Sequence, residues 1–297
     1  MSEVLTISSL KEIYNSYDTF ILDQWGVMHD GVKGYLKAIK CVEKLFSENK
    51  NLIIVSNSSK RKKSSLNTLS VLGFNSDHFK EVMTSGEMIW QSLSNENYNL
   101  IQNLGKNCFH ICDQFNEEGK DFLKGLEKYK LVENIDESDF ILACTPFSNT
   151  KVLDYVPILD IAIKKHIPFL CANPDFETIS TPMNMNENNI FCMGAIAELY
   201  KSIGGKIFLL GKPNIDIYIE STKNIKKLKK SRILAIGDSL HHDIKGAIKF
   251  GIDSLLITST GIHHRLFDKK NPNWDNNSSP LLNMDIKPNF ICSEFIF

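Results

Sequence analysis

The sequence predicts an α/β fold, a parallel sheet with helices on its faces. Short apolar runs alternate with segments of helical spacing, and several of those runs end in polar or glycine-containing turns. No apolar run approaches the roughly 18 residues of a membrane span. A chain of 297 residues can form one large domain or two ordinary ones, and 42% hydrophobic residues allow a sizeable core. The net charge of −1 gives no reason to expect nucleic acid or a membrane as partner.

The first strand ends at Asp23, because Phe20, Ile21 and Leu22 form an apolar run and Gly26 and Gly31 then break the pattern. Leu36, Ile39, Val42 and Leu45 follow at helical spacing with charged residues between them. Residues 51–55 form the next strand, which runs into Ser56-Asn57-Ser58-Ser59, and a helix through Leu66, Leu69 and Leu72 stops at Gly73. Residues 81–84 read as a strand, with Ser85-Gly86 as the turn into a helix containing Met88, Ile89 and Trp90.

The middle repeats the alternation less cleanly. Strands are expected over 107–112, 140–145 and 167–172, with a helix over 151–165. The polar, asparagine-rich stretches 95–105 and 183–189 read as loops or segments near a hinge. In the last third, a strand over 206–210 runs into Gly211-Lys212-Pro213, and a helix follows over 215–222. A strand over 232–236 ends in Gly237-Asp238-Ser239, and a helix through Ile244, Ala247 and Ile248 is closed by Gly251. A final strand over 252–257 ends in Thr258-Ser259-Thr260-Gly261.

The seven cysteines are odd in number, include no Cys-x-x-Cys, and fall partly inside apolar runs. Buried thiols in a reducing compartment are the simplest account, and with no signal peptide visible at the N-terminus the expected location is cytoplasmic. Cys108, His110 and Cys112 alternate on one strand, but a zinc site would need further ligands at suitable spacing. The run Lys60-Arg61-Lys62-Lys63 is expected on the solvated first turns of a helix.

Four strand ends carry polar groups: Asp23, Ser56-Asn57, Lys212, and Asp238 with Asp243. In a parallel sheet these ends lie on one edge, where open α/β sheets bind ligands. Asp23 and Asp238 can together hold Mg²⁺, which prefers oxygen ligands and often uses one or two carboxylates plus a substrate phosphate. Ser56 and Lys212 can hold a phosphate, and a carboxylate can accept a phosphoryl group. Each residue also has a local reading. Asp23 can open a turn, Ser56-Asn57 and Asp238 can cap helices, Lys212 can be a surface lysine, and Asp243 a first-turn acid. Capping alone does not account for all four in this order.

In this ordered set the chain resembles the haloacid dehalogenase-like hydrolases, and within them subclass IIA. The motifs that carry the resemblance are Asp23-Gln24-Trp25-Gly26-Val27, Ser56-Asn57, Gly211-Lys212-Pro213, and Gly237-Asp238-Ser239 with Asp243. The large insert between the second and third motifs, with Asn173-Pro174-Asp175 inside it, suggests the subclass. The resemblance implies a Rossmann-like core over 1–84 and 206–297, with an inserted α/β cap over 85–205 that closes over the substrate. A cap of this kind also offers a surface for a homodimer. Asp23 would be the nucleophile, and Asp23, Asp238 and the Trp25 backbone carbonyl would bind Mg²⁺. Ser56 and Lys212 would hold the phosphoryl group, with Asn57 facing it and Asp243 supporting Lys212 or the metal shell. Asp175 would project from the cap toward the site. The implied activity is Mg²⁺-dependent hydrolysis of a small phosphorylated metabolite through an aspartyl-phosphate.

One departure bears on that activity. The family's phosphatases carry a second Asp, two residues after the nucleophile, as general acid and base, and here the position is Trp25. An indole N–H only donates hydrogen bonds. Without acid–base help worth about 10²–10⁴-fold, turnover of alkyl phosphates should be slow and restricted by the leaving group. Trp25 would instead stack on a substrate ring or shield the site, and His29 and Asp30 lie close in sequence. A non-catalytic phosphometabolite binder and a phosphotransferase are the competing readings.

Overall fold

The computed structural model describes residues 4–95, 101, 104–113, 122–178, 190–267 and 285–297. The polar stretch 183–189 lies outside the described residues, as does most of 95–105. In chain order the strands are β1 Leu5–Thr6, β2 Thr19–Leu22, β3 Asn51–Ser56, β4 Phe79–Thr84, β5 Asn107–Ile111, β6 Lys130–Val132 and β7 Phe140–Ala143. They continue with β8 Phe169–Cys171, β9 Glu177–Thr178, β10 Ile190–Phe191, β11 Ile207–Leu209, β12 Ile233–Gly237, β13 Asp253–Ile257 and β14 Phe290–Cys292.

Seven strands form a wholly parallel sheet in the order β1-β14-β13-β12-β2-β3-β4. Five others form a second parallel sheet, β11-β8-β7-β5-β6, and β9 and β10 make an antiparallel ribbon. The expected parallel α/β architecture is present. Its central strands are uninterrupted apolar runs because both faces are covered: every residue of β2 and of β12 is buried.

The period of two divides the core. Phe20 and Leu22 of β2 join one apolar cluster with Ala38, Val42 and Leu45 of the helix Leu36–Ser47. Ile21, between them, faces the other way into a cluster with Ile53, Val55 and Met88. That second cluster continues into the other sheet through Cys108, Phe140, Leu142 and Leu170, so shared apolar packing joins the two sheets.

Three expectations need correction. The boundary at 205/206 assigns residues 207–209 to the core, but β11 pairs with β8 in the second sheet. Hydrophobic pattern marks a strand without naming its neighbour, and the chain returns to the first sheet only after Gly211-Lys212-Pro213. The four polar strand ends therefore come from two sheets, with Lys212 delivered from the second. The basic run is also less solvated than expected: Arg61 pairs with Glu87 at 2.7 Å and lies over the Trp90 ring, and Lys62 pairs with Glu81. Finally, the helix expected over 151–165 begins as a 3₁₀ turn, Val152–Tyr155, before the α-helix Val156–Lys164.

All seven cysteines are free thiols, and no helix of the described residues is long and apolar enough to cross a membrane.

Candidate active site

Asp23 continues the β2 ladder by one step, its backbone N–H donating to Ile236 O at 2.9 Å. The next strand over, β12, delivers Asp238 directly after Gly237. These two ends approach closely enough that side chains are excluded between them. A Cβ on Gly26 would fall 2.2 Å from Asp238 Oδ2, and Gly26 also has φ +73°. The Ile262 N–H donates to Asp238 Oδ2 at 2.8 Å and fixes that carboxylate.

Lys212 is buried and donates from Nζ to Asp23 Oδ1 at 2.6 Å and to Asp243 Oδ1 at 2.7 Å. The other oxygen of Asp243 accepts the Ser239 N–H at 3.1 Å, so both its oxygens are committed to protein donors. Asp23 Oδ2 and Asp238 Oδ1 have no protein hydrogen bond among the described residues. Ligand atoms of Asp23, Asp238 and Asp243 lie within 4.8 Å of one another, the only such group of three or more His, Cys, Asp or Glu among the described residues. Cys108, His110 and Cys112 do not form one. His110 Nε2 instead lies 3.4 Å from Cys144 Sγ.

Five carboxylates and two ammonium groups line the pocket and leave it short of positive charge. Burial pushes the Asp23 carboxyl up to about 7, with Lys212 opposing and Asp243 reinforcing the rise. Burial, then the Asp23 charge, raises Asp238 well above the carboxylate range. Burial works against the Lys212 ammonium, but Asp23 and Asp243 outweigh it and hold its pKa well above the ordinary value.

The local capping readings mostly fail. Ser239, not Asp238, caps the turn Leu240–Ile244, its Oγ accepting from the His242 N–H. The helix after β3 starts at Lys62 with Arg61 at its N-cap, so Ser56 and Asn57 cap nothing there. Asn57 donates from Nδ2 to Asp175 Oδ1 at 2.7 Å and to Lys212 O at 3.1 Å. Its Oδ1 is buried without a partner, and a Cβ on Gly211 would fall 2.4 Å from it. Asp175 thus comes from the loop after β8, and its Oδ1 also lies 3.2 Å from His242 Nδ1.

A cavity of about 220 Å³ opens above these groups, lined by Asp23, Ser56, Asp175, Lys212, Asp238 and Asp243 among others. Trp25 forms part of its wall. The six-membered ring lies against Gly31, where a Cβ would fall 2.0 Å from Trp25 Cη2, and Gly31 has φ +87°. The ring of His29 meets Trp25 edge-on at 5.3 Å. His29 is buried, accepts the Gly31 N–H at Nδ1, and is pushed down to about 4 mainly by burial. Asp30 receives the N–H groups of Val32 and Lys33 in the turn. Neither His29 nor Asp30 lines the cavity.

Sequence reasoning missed six other lining residues: Lys60, Thr145, Glu177, Cys192, His242 and Ile262. Thr145 and His242 carried faint signals, one following strand β7 and the other adjoining Asp243. Lys60 was absorbed into the basic run, and Cys192 carried no signal of its own.

Comparison with known proteins gives a consistent family. Residues 20–124 match the family model described as haloacid dehalogenase-like hydrolase, and residues 209–281 match a second, HAD-hydrolase-like model. No curated protein matches by sequence. A haloacid dehalogenase-like hydrolase from Brucella suis superposes with TM-score 0.75 and 28% identity, over 86% of this chain and 90% of that one. A possible sugar phosphatase of the same superfamily from Cytophaga hutchinsonii gives TM-score 0.75 at 19% identity, over 99% of both chains. A p-nitrophenyl phosphatase from Archaeoglobus fulgidus gives 0.67 at 18%, over 94% of this chain and 97% of that one.

Proposed function

We propose that this chain, which belongs to the haloacid dehalogenase-like hydrolases, hydrolyses a small phosphate ester through an aspartyl-phosphate at Asp23. The observation that carries this reading is the buried row Asp23–Lys212–Asp243 with Asp238 beside it, all opening on one cavity. The neighbours described as a possible sugar phosphatase and a p-nitrophenyl phosphatase support a small phosphorylated substrate. The second sheet and its helices serve as the cap. The free thiols, most of them buried, support a cytoplasmic setting.

Mg²⁺ fits the donor set, because two carboxylate oxygens without protein partners face a pocket short of positive charge. Asp23, Asp238 and the Trp25 carbonyl would hold it. When bound it neutralises charge on the transferring phosphoryl group and keeps both carboxylates ionised.

The remaining steps fall to the chain's own residues. Ser56 and Lys212 orient the phosphoryl oxygens, with Asp243 holding Lys212 in place. Asn57, expected to face the phosphate, instead spends its amide donors on Asp175 and Lys212 O and braces that pair. Asp23 attacks phosphorus, the bond to the leaving oxygen breaks, and water then attacks the aspartyl-phosphate to release inorganic phosphate. Asp175, bonded to Asn57, borders the space left for the leaving group. Trp25 closes a wall of that space and can neither protonate an alkoxide nor activate water.

The test is acid quenching during turnover of a phosphate ester, followed by mass spectrometry of the Asp23 peptide. A phosphoryl group on Asp23 is expected, with turnover lost by about 10³-fold or more in Asp23→Asn. Phosphate release undiminished in Asp23→Asn would refute the reading. A binder without turnover is the second reading, favoured by Trp25 alone, and it requires both proteins to bind phosphate esters and release nothing.

A further inference from the structure

We propose that His242, held by Asp175, is the general acid and base that the Trp25 position lacks. This rests on Asp23 being the nucleophile.

His242 and Asp175 line the same cavity as Asp23, and they come from different sheets. His242 sits in the turn after β12, while Asp175 sits in the loop between β8 and β9. Asp175 Oδ1 lies 3.2 Å from His242 Nδ1, and Ser239 Oγ lies 3.1 Å from the same nitrogen. Nδ1 is therefore engaged twice, which orients the ring and leaves Nε2 to exchange protons. The His242 side chain is 12% exposed, close enough to solvent to recover a proton between cycles. The Phe176 ring packs at 5.9 Å and limits its rotation.

The other candidates are poorly suited. His29 is walled off behind Trp25, and Asp30 is committed to its turn. The Cys192 thiol is pushed up to about 12, chiefly by burial, so it stays protonated. The charged and titratable side chains that share a cavity with His242 include Asp175 and Glu177 from the second sheet's loop, Lys60 after β3, Lys212 after β11, and His241, Asp243 and Lys245 after β12.

The proton balance closes. In the first half, Asp23 Oδ bonds to phosphorus as the bond to the leaving oxygen breaks, and that oxygen takes the proton from His242 Nε2. In the second half, neutral His242 takes a proton from water as the water oxygen bonds to phosphorus. The Asp23–phosphorus bond then breaks, inorganic phosphate departs, and His242 is again protonated. Because Asp175 arrives with the second sheet, the acid is oriented only when the two halves meet.

The experiment compares wild type, His242→Gln and Asp175→Asn on phosphate esters of graded leaving-group pKa, from 4-nitrophenyl phosphate to an alkyl phosphate. In His242→Gln, kcat/KM on the alkyl ester should fall about 10²–10⁴-fold, and on 4-nitrophenyl phosphate by less than about tenfold. Asp175→Asn should follow the same pattern more weakly. Equal losses on all esters in a folded His242→Gln, or no loss on any, would overturn the proposal. Wild type inert on the whole series would instead remove the Asp23 reading, a failure visible before any substitution is made.

Discussion

The two sheets serve the same cavity in different ways. The seven-stranded sheet presents Asp23, Ser56 and Asp238 from the ends of buried strands, Asp23 and Ser56 held in the ladder and Asp238 by the close approach of Gly26 and Gly261. The second sheet contributes through its connections: Lys212 after edge strand β11, and Asp175 on the loop after β8, its side chain 37% exposed. The first arrangement suits reacting groups, which must not move. The second suits groups that admit a substrate and respond to it.

The comparison breaks first at Asp238. If the rigid edge is the metal site, Asp238→Ala removes one of two carboxylates and should weaken Mg²⁺ affinity by about a hundredfold or more. Titration calorimetry with Mg²⁺ alone measures this, and unchanged affinity would move the metal elsewhere. Asp175, on the second sheet's loop, should leave Mg²⁺ affinity untouched when changed to Asn.

A smaller effect concerns pH. The folded Asp23 carboxyl is raised from 3.8 to about 7, and Asp238 is raised too, both first by burial. A carboxyl with a raised folded pKa binds more protons in the native state than in the unfolded state across that interval. Stability of the metal-free protein should therefore be highest below pH 4 as far as these groups are concerned, and fall as pH rises toward 7. Added Mg²⁺ should oppose the fall, raising Tm by roughly 5 °C or more at pH 7 and by less at pH 5. Thermal melts at the two pH values with and without Mg²⁺ decide it, and a Mg²⁺ effect larger at pH 5 would contradict the charge balance drawn for this pocket.

The same division explains what the sequence could and could not disclose. Asp23, Ser56 and Asp238 were legible because each directly follows or ends an apolar run, and a parallel sheet gathers such ends. The partner of β11 was not legible, since three apolar residues fit an edge of either sheet. Strands β1 and β14, of two and three residues, are too short to show a period. His242 was hidden for another reason. Beside Asp243 it reads as an ordinary helix-turn residue, and only the arrival of Asp175 from 67 positions earlier in the chain gives it a role. Pattern records which face a residue takes, but long-range meetings of loops leave no periodic trace.

The smallest expected effect is at Trp25, and it tests how the two halves share the work. Were the family's second Asp simply missing, restoring it by Trp25→Asp would raise alkyl phosphate turnover steeply. With His242 supplying the proton, the same change in an otherwise wild-type chain should alter kcat by less than about tenfold, because the leaving oxygen already has a donor. It should also lower Tm, since the Trp25 ring fills the space against Gly31 and His29 and a carboxylate would leave it empty. The informative background is His242→Gln. There a carboxyl two residues after Asp23 has a proton to give that no other group provides, and Trp25→Asp should recover a measurable part of the lost alkyl turnover. Steady-state kinetics of the two single variants and the double variant on one alkyl ester separate the accounts. A large gain from Trp25→Asp alone places the deficit at residue 25 and leaves His242 without a chemical task. A gain confined to the double variant assigns the proton to the loop-assembled pair.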